Sequence, residues 1–354
     1  MGGTATYVSN LVQGQVGLGH SVLLATGFVP EKESEDEVLG ALPFKRINNM
    51  SREISVLKDL KASSELKKLI HEFKPDLIHT HTFKAGLLVR TLRTSIPIIH
   101  TFHGHHLYDP EFGYLKRSLL NWVERRLANK TSALITVGEK VGQEILAVGV
   151  GESSKYFSIP PGIHALAQVD GTGIRKKFSL SESDIVVVWL GRFTRVKRPD
   201  LVVEVGRALP GTIFLMAGDG ELLESIKKEA PGNVRCLGIQ NRDEMWGIAD
   251  IALCTSDSEG MPLALIEAQM AGVPVVSTDV GSISEIVENG VTGELAKNTS
   301  AALSKAVELL ASSSVKRRDM STAAKTRAKK LFSVEVMVSA HEDLYERVLR
   351  GVKK

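Results

Sequence analysis

Two carboxylates eight positions apart, Glu259 and Glu267, bracket a Gly, a Pro and an apolar run within residues 256–268. Pro262 predicts the first residue of a helix, where its missing N–H would have no intrahelical partner anyway. Glu259 is then expected in the loop before that helix and Glu267 on its second turn. Eight residues span about 2.2 helical turns, so both carboxylates can address one side of the helix start. That start offers unpaired N–H groups and the positive end of the helix dipole, a setting suited to phosphate. Carboxylates beside such a site do not bind the phosphate; hydroxyl groups are their natural partners. A sugar nucleotide carries both groups. Taken alone, the spacing also fits a surface loop followed by an ordinary core helix.

Gly191-Arg192-Phe193-Thr194-Arg195-Val196-Lys197-Arg198-Pro199-Asp200 follows an apolar run and precedes a helical one. A phosphate loop of an α/β fold belongs there. Arg192 can hold an anion in a planar fork and Lys197 can meet it as a point charge. A solvated basic loop is the ordinary alternative, and Arg195 and Arg198 read as surface charge. Ala217-Gly218-Asp219-Gly220 ends a second apolar run. Its glycines let backbone approach a ligand, and Asp219 is expected to cap the next helix. Gly2 and Gly3 resemble a tight turn that brings backbone to phosphate, though a Gly pair fits many turns.

Seven of the ten histidines fall between His71 and His106. A metal cluster is one reading of them. No Cys or Glu nearby completes a ligand spacing, and no Asp-x-Asp offers a seat for a divalent cation. No metal or other cofactor is expected. Diphosphate charge is left to Arg192, Lys197 and the helix start near Met261. His103, at an expected strand end, is placed to bond a reacting sugar.

Residues 114–130 carry Leu115, Leu119, Trp122, Val123 and Leu127 beside Lys116, Arg117, Arg125, Arg126 and Lys130. Residues 45–130 hold 16 Lys/Arg against 8 Asp/Glu. A basic amphipathic helix can lie on an anionic membrane. A core-facing helix with a solvated face fits the same pattern and is the preferred reading.

The elements that must position these groups are short apolar runs alternating with helical stretches. Strands are expected at 22–25, 77–79, 96–100 and 134–137, then at 185–190, 213–217, 234–237, 251–254 and 273–277. Runs such as Ile185-Val186-Val187-Val188-Trp189-Leu190 are apolar without alternation, as parallel strands covered on both faces are. Helices are expected at 4–17, 63–73, 114–130, 140–146, 200–208, 222–229, 261–271, 300–312 and 333–349. The alternation predicts α/β architecture with parallel sheets. Pro160-Pro161-Gly162 breaks it, giving two doubly wound domains, 1–160 and 161–332, with 333–354 packing back on the first. Ligands of such sheets bind beyond the C-terminal strand ends, here in a cleft between domains. A net charge of +3 is too small to argue for nucleic acid. Cys236 and Cys254 are the only cysteines, which fits a reducing compartment. No run is long enough to span a membrane and no signal peptide is visible. A cytoplasmic protein is expected, with peripheral contact at the inner membrane face as the alternative use of 114–130.

Taken in order, Gly2-Gly3, His103-Gly104, Gly191-Arg192 with Lys197, Gly218-Asp219-Gly220 and Glu259 with Glu267 resemble the retaining glycosyltransferases of family 4. His79-Thr80-His81 and His100-Thr101-Phe102-His103-Gly104-His105 add to the likeness, as does Val275-Val276-Ser277-Thr278-Asp279-Val280-Gly281. The resemblance implies a GT-B fold and a nucleotide-sugar donor, usually a UDP-sugar or GDP-sugar, with a UDP-sugar preferred. It implies that Arg192 and Lys197 bind the diphosphate, Glu267 the ribose hydroxyls and Glu259 the donor sugar. Backbone N–H groups of Gly260, Met261 and Leu263 would contact sugar or phosphate. His103 would meet the transferred sugar, and Gly3 the diphosphate. The acceptor would be a saccharide or a lipid-linked one, in cell-surface polysaccharide or glycolipid synthesis. In the family pattern a strand precedes the Gly-Gly turn, so a central strand of the first sheet is expected to be missing here. His164 stands where the connector often has Asp, and Gly138 where Ser is common. Two other readings share the phosphate-binding features: a GT-B-fold nucleotide-sugar epimerase, and a truncated non-catalytic sugar-nucleotide binder. The epimerase would release free nucleotide without an acceptor, and the binder would turn over no donor.

Overall fold

The computed structural model describes residues 3–28, 40–51, 55–104, 113–167 and 169–352; Gly2, His105 and His106 lie outside them. The chain forms two compact units, Met1–Gly162 with Val334–Lys354, and Ile163–Ser333.

In the first unit β1 (Leu24–Thr26) pairs in parallel with β2 (Phe44–Arg46), its one partner among the described residues. A separate parallel sheet holds β3 (Ile78–His81), β4 (Ile98–Phe102), β5 (Ala133–Thr136) and β6 (Tyr156–Ser158) in that order. The described strands of this unit lie in two parallel sheets. β4 and β5 are buried along their whole length, which explains their apolar runs. The helix Gly3–Gly17 packs against the last helix, Val334–Val352, in the same unit. A Cβ at Gly14 would stand 2.3 Å from Val338 Cγ2, so glycine sets this close crossing.

The second unit is one six-stranded parallel sheet in the order β12-β11-β10-β7-β8-β9. Its strands are β7 (Val186–Leu190), β8 (Ile213–Ala217), β9 (Val234–Cys236), β10 (Ile251–Cys254), β11 (Val275–Thr278) and β12 (Gly293–Ala296). The chain runs from β7 outward to β9, then returns to β7's other side with β10. The order thus reverses between β7 and β10, and loops at that switch point diverge and leave room for a ligand. Val187, Trp189, Phe193, Phe214, Met216 and Leu253 are part of the core around these strands.

Pro262 is not the first helical residue. It precedes the helix Leu263–Ala271 with extended backbone, φ −72° and ψ 116°. Glu259 lies in the loop before that helix and Glu267 on its second turn. β2, β6 and β12 carry no strand signal in the sequence, because they are three or four residues long and lie at sheet edges. The helix Ser314–Phe332 also went unseen. Its buried face is Met320, Ala324, Ala328 and Phe332, small or isolated apolar side chains at four-residue spacing among Lys and Arg.

Candidate functional site

In the second unit the loops after β7, β10 and β11 are tied into one body. Lys197 Nζ pairs with Glu259 Oε1, joining the first two loops across the switch point. Ser256 Oγ donates to the same carboxylate oxygen at 2.6 Å. Thr255 Oγ1 donates to the Lys197 carbonyl at 2.8 Å and accepts from Trp189 Nε1 at 3.1 Å. The Asp257 N–H donates to the Val196 carbonyl at 2.8 Å. Thr278 Oγ1 donates to the Ser256 carbonyl at 2.7 Å, and the Ser282 N–H to the Gly260 carbonyl at 3.0 Å. Gly281 has φ +54°, and a Cβ there would fall 1.7 Å from the Glu259 carbonyl oxygen. Only glycine lets the third loop lie this close to the Glu259 backbone.

Arg192, on the same loop as Lys197, is exposed, and its side chain has no hydrogen-bond or ion-pair partner among the described residues. An exposed guanidinium on the same loop as an ammonium held by Glu259 is suited to a diphosphate. Arg198 is not loose surface charge. Its left-handed backbone, φ +49°, precedes the helix Pro199–Ala208. Its guanidinium bonds both oxygens of Asp200 and reaches Asp257 at 3.3 Å.

Glu267 has other neighbours. It is 3% exposed, its Oε1 pairs with Arg242, and Trp246 Nε1 donates to its Oε2 at 3.4 Å. Burial pushes its carboxyl above the usual range, against the pull of the Arg242 guanidinium. The two carboxylates are thus held by different cations. Met261 is buried at the turn between them, and Gly260 and Leu263 are half-buried.

Gly218 and Gly220 serve the protein's own backbone. Their φ angles are +142° and +152°, and added Cβ atoms would meet the Gly191 oxygen at 1.9 Å and Phe193 backbone at 2.6 Å. Glycine here lets two loops touch. Asp219 does not cap a helix: Oδ1 accepts from the Gly220 N–H at 2.8 Å, and the next helix, Leu223–Glu229, starts without a side-chain cap. Asp219 lacks the reach because three residues separate it from that start, and the Leu222 N–H already bonds the Phe193 carbonyl at 2.9 Å.

In the first unit Gly3 opens the first helix and is exposed. His103, one residue past β4, is half-buried, and its Nε2 lies 3.0 Å from His81 Nδ1. The Tyr7 ring meets the His103 ring edge-on at 4.9 Å. Tyr7 Oη lies 3.2 Å from His341 Nε2, while His79 lies 2.6 Å from Tyr345 Oη and 2.7 Å from Thr101 Oγ1. Burial holds the His79, His81 and His100 imidazoles well below their ordinary pKa. His341 is pushed down to about 4 for the same reason. His100 faces the other side of β4, beside the buried ion pair Arg90–Glu124. Among the described residues no group of three or more His, Cys, Asp or Glu is placed to hold a metal ion.

Sequence reasoning gave no role to Ser256, Arg242, Gly281 or Tyr7. Ser256 had a usable signal, since it shares a short loop with Glu259. Arg242 had none, because only the fold brings it to Glu267.

The preferred reading of residues 114–130, a core-facing helix, holds only for the end. In the helix Tyr114–Ala128, Leu127 and Ala128 are buried, whereas Tyr114, Leu115, Leu119 and Trp122 are 78%, 83%, 60% and 54% exposed. Among the described residues no helix is long and apolar enough to cross a membrane.

Comparison with known proteins bears on these geometries. The family model described as "Glycosyltransferase Family 4" matches residues 1–165, and that described as "Glycosyl transferases group 1" matches residues 171–327. The chain is 27% identical over 321 residues to the N-acetyl-alpha-D-glucosaminyl L-malate synthase of Bacillus anthracis, covering 83% of this chain and 81% of that one. It is 28% identical over 269 residues to the UDP-Gal:alpha-D-GlcNAc-diphosphoundecaprenol alpha-1,3-galactosyltransferase of Escherichia coli, covering 70% and 69%. Among solved structures, Anabaena HepE in complex with UDP superposes with a TM-score of 0.82 at 18% identity, covering 98% of this chain and 96% of that one.

Proposed function

The chain belongs to the group 1 glycosyltransferases of family 4, has the GT-B fold and transfers sugar from a nucleotide-sugar donor, and we propose that its donor is a UDP-sugar. One observation carries the donor site: the Lys197–Glu259 pair at the β7/β10 switch point, with Arg192 exposed on the same loop as Lys197. In this reading Arg192 and Lys197 bind the diphosphate, and Glu259 holds a hydroxyl of the donor sugar. Glu267 takes the ribose hydroxyls, and N–H groups at Gly260, Met261 and Leu263 complete the contacts. His103 meets the transferred sugar and Gly3 the diphosphate. The uracil base is supported by the UDP-Gal in one relative's name and the UDP bound to HepE.

Charge developing on the leaving diphosphate is met by fixed donors, commonly the largest catalytic contribution. We assign retention at the anomeric carbon and no requirement for a metal. The acceptor is a lipid-linked saccharide, as in the diphosphoundecaprenol relative, and the setting is cell-surface polysaccharide or glycolipid synthesis on the cytoplasmic side. The exposed apolar and basic strip of the helix Tyr114–Ala128 favours peripheral membrane contact there.

Thermal unfolding with UDP, GDP or ADP, each in EDTA, tests the donor. Ligand at about 100 times its dissociation constant adds roughly 2.7 kcal/mol. A rise with UDP alone is expected. A rise with GDP or ADP instead overturns the base, and a rise that needs added metal overturns metal independence.

A further inference from the structure

We propose that His81 is a positioning residue for His103, fixing the orientation and tautomer of its ring; this rests on the reading of His103 as the group that meets the transferred sugar. β3 and β4 are parallel with His81 opposite Thr101, so His103 lies two residues beyond that pair, just past the strand. Side chains two apart along a strand share a face, which brings His79, His81, Thr101 and His103 together. His81 Nδ1 and His103 Nε2 then meet at 3.0 Å.

His81 is itself held. Its ring stacks on His79 with centroids 4.2 Å apart, and both nitrogens of His79 are engaged, by Tyr345 and Thr101. Tyr7 closes another side of His103, with the rings at 86°, and Tyr7 Oη is fixed by His341. A charge on His79, His81 or His341 would lie in a buried site beside other imidazoles. Burial, then His79, His103 and His341, hold His81 in its neutral form.

The hydrogen bond between His81 Nδ1 and His103 Nε2 needs one N–H and one lone pair. The two tautomers are therefore set as a pair. With His103 also neutral, its proton is on Nδ1 if His81 donates and on Nε2 if His81 accepts. In either case the nitrogen of His103 not facing His81 has one defined character, donor or acceptor, toward a sugar oxygen.

The test compares His81→Asn, His81→Gln and His81→Ala with wild type. Asn carries its amide on Cγ, where Nδ1 of His81 stands; Gln carries it one bond farther out, near Nε2. Long-range proton–nitrogen NMR of protein labelled with ¹⁵N-histidine reads the His103 tautomer without any substrate. Wild type and His81→Asn are expected to show one tautomer, and His81→Gln and His81→Ala a mixture. Consumption of UDP-glucose, UDP-galactose and UDP-N-acetylglucosamine is the second readout. With whichever donor wild type uses, kcat is expected to fall roughly tenfold or more in His81→Ala and His81→Gln with KM little changed, and to recover in His81→Asn. Unchanged His103 nitrogen shifts in His81→Gln overturn the proposal, as does equal turnover in the Asn and Gln variants. If His81→Ala does not fold, the Asn–Gln contrast still decides. If wild type consumes none of the three donors, the UDP-sugar reading fails, while the NMR arm still decides the pairing.

Discussion

The two units build their polar centres from different material. In the second, opposite charges face each other on loops that follow strands and on the helices after them: Lys197 with Glu259, Arg242 with Glu267, Arg198 with Asp200 and Asp257. In the first, the face of β3 and β4 that carries His103 is lined with neutral groups, the imidazoles of His79, His81 and His341 and the phenols of Tyr7 and Tyr345. The buried pair Arg90–Glu124 is on the opposite face of β4. A charged site meets the charge of a diphosphate, and a neutral polar site can orient hydroxyl groups without competing for it. The sharpest way to break this contrast is to remove one charge. Glu259→Ala is expected to lower transfer by about a hundredfold or more, the scale on which a transition-state donor or its support is felt. UDP should still raise the unfolding temperature of the variant. Equal loss of transfer and nucleotide binding would count against a role for Glu259 at the sugar.

Acid should separate the units next. His341 is 0% exposed and has its pKa lowered from 6.5 to about 4. The unfolded chain therefore takes up more protons than the folded one between pH 6.5 and 4, so its contribution is complete above about pH 6.5 and is lost as pH falls toward 4. The full contribution is on the order of 3 kcal/mol, of which about 2 kcal/mol is gone by pH 5. His79, His81 and His100 shift in the same direction. Glu267 does the reverse: its raised pKa means that protonation favours the folded second unit as pH falls through it. Hydrogen exchange followed by mass spectrometry, corrected for intrinsic rates, should show the first unit losing protection from pH 7 to pH 5 well ahead of the second. His341→Gln keeps a partner for Tyr7 but does not titrate, and it should flatten that loss. Parallel loss in both units would end the contrast.

How much of this was legible depended on where each signal resides. β8 and β10 could be read to the residue, because a strand covered on both faces must be apolar throughout and turns polar where it ends. β2, β6 and β12 left no such trace, being short edge strands with polar positions. The loop order Arg192, Lys197, Glu259 was visible because those residues follow strands. Which cation would face which carboxylate was not visible: Lys197–Glu259 and Arg242–Glu267 are contacts across 62 and 25 residues, set by strand order alone. Gly218 and Gly220 looked like ligand-facing glycines, since a glycine signals close approach without naming what approaches; here it is the backbone of Gly191 and Phe193.

The helix Tyr114–Ala128 offers the smallest and most local test, because its character belongs to neither centre. Leu115, Leu119 and Trp122 stand exposed beside Arg125 and Arg126, and the Arg126 guanidinium lies 5.0 Å over the Trp122 ring. An apolar strip with cations along it suits the boundary of an anionic bilayer, where each basic residue adds about 1 kcal/mol. Arg126→Ala should then weaken binding to vesicles containing anionic lipid by roughly fivefold. Leu119→Asp, which places a like charge against the lipid inside the apolar strip, should weaken it further. Both side chains are exposed, so transfer to a soluble acceptor should stay near wild type. Sedimentation with vesicles of anionic and of zwitterionic lipid reads both arms. Equal binding of wild type and both variants to the two vesicle types would leave the strip with no membrane role.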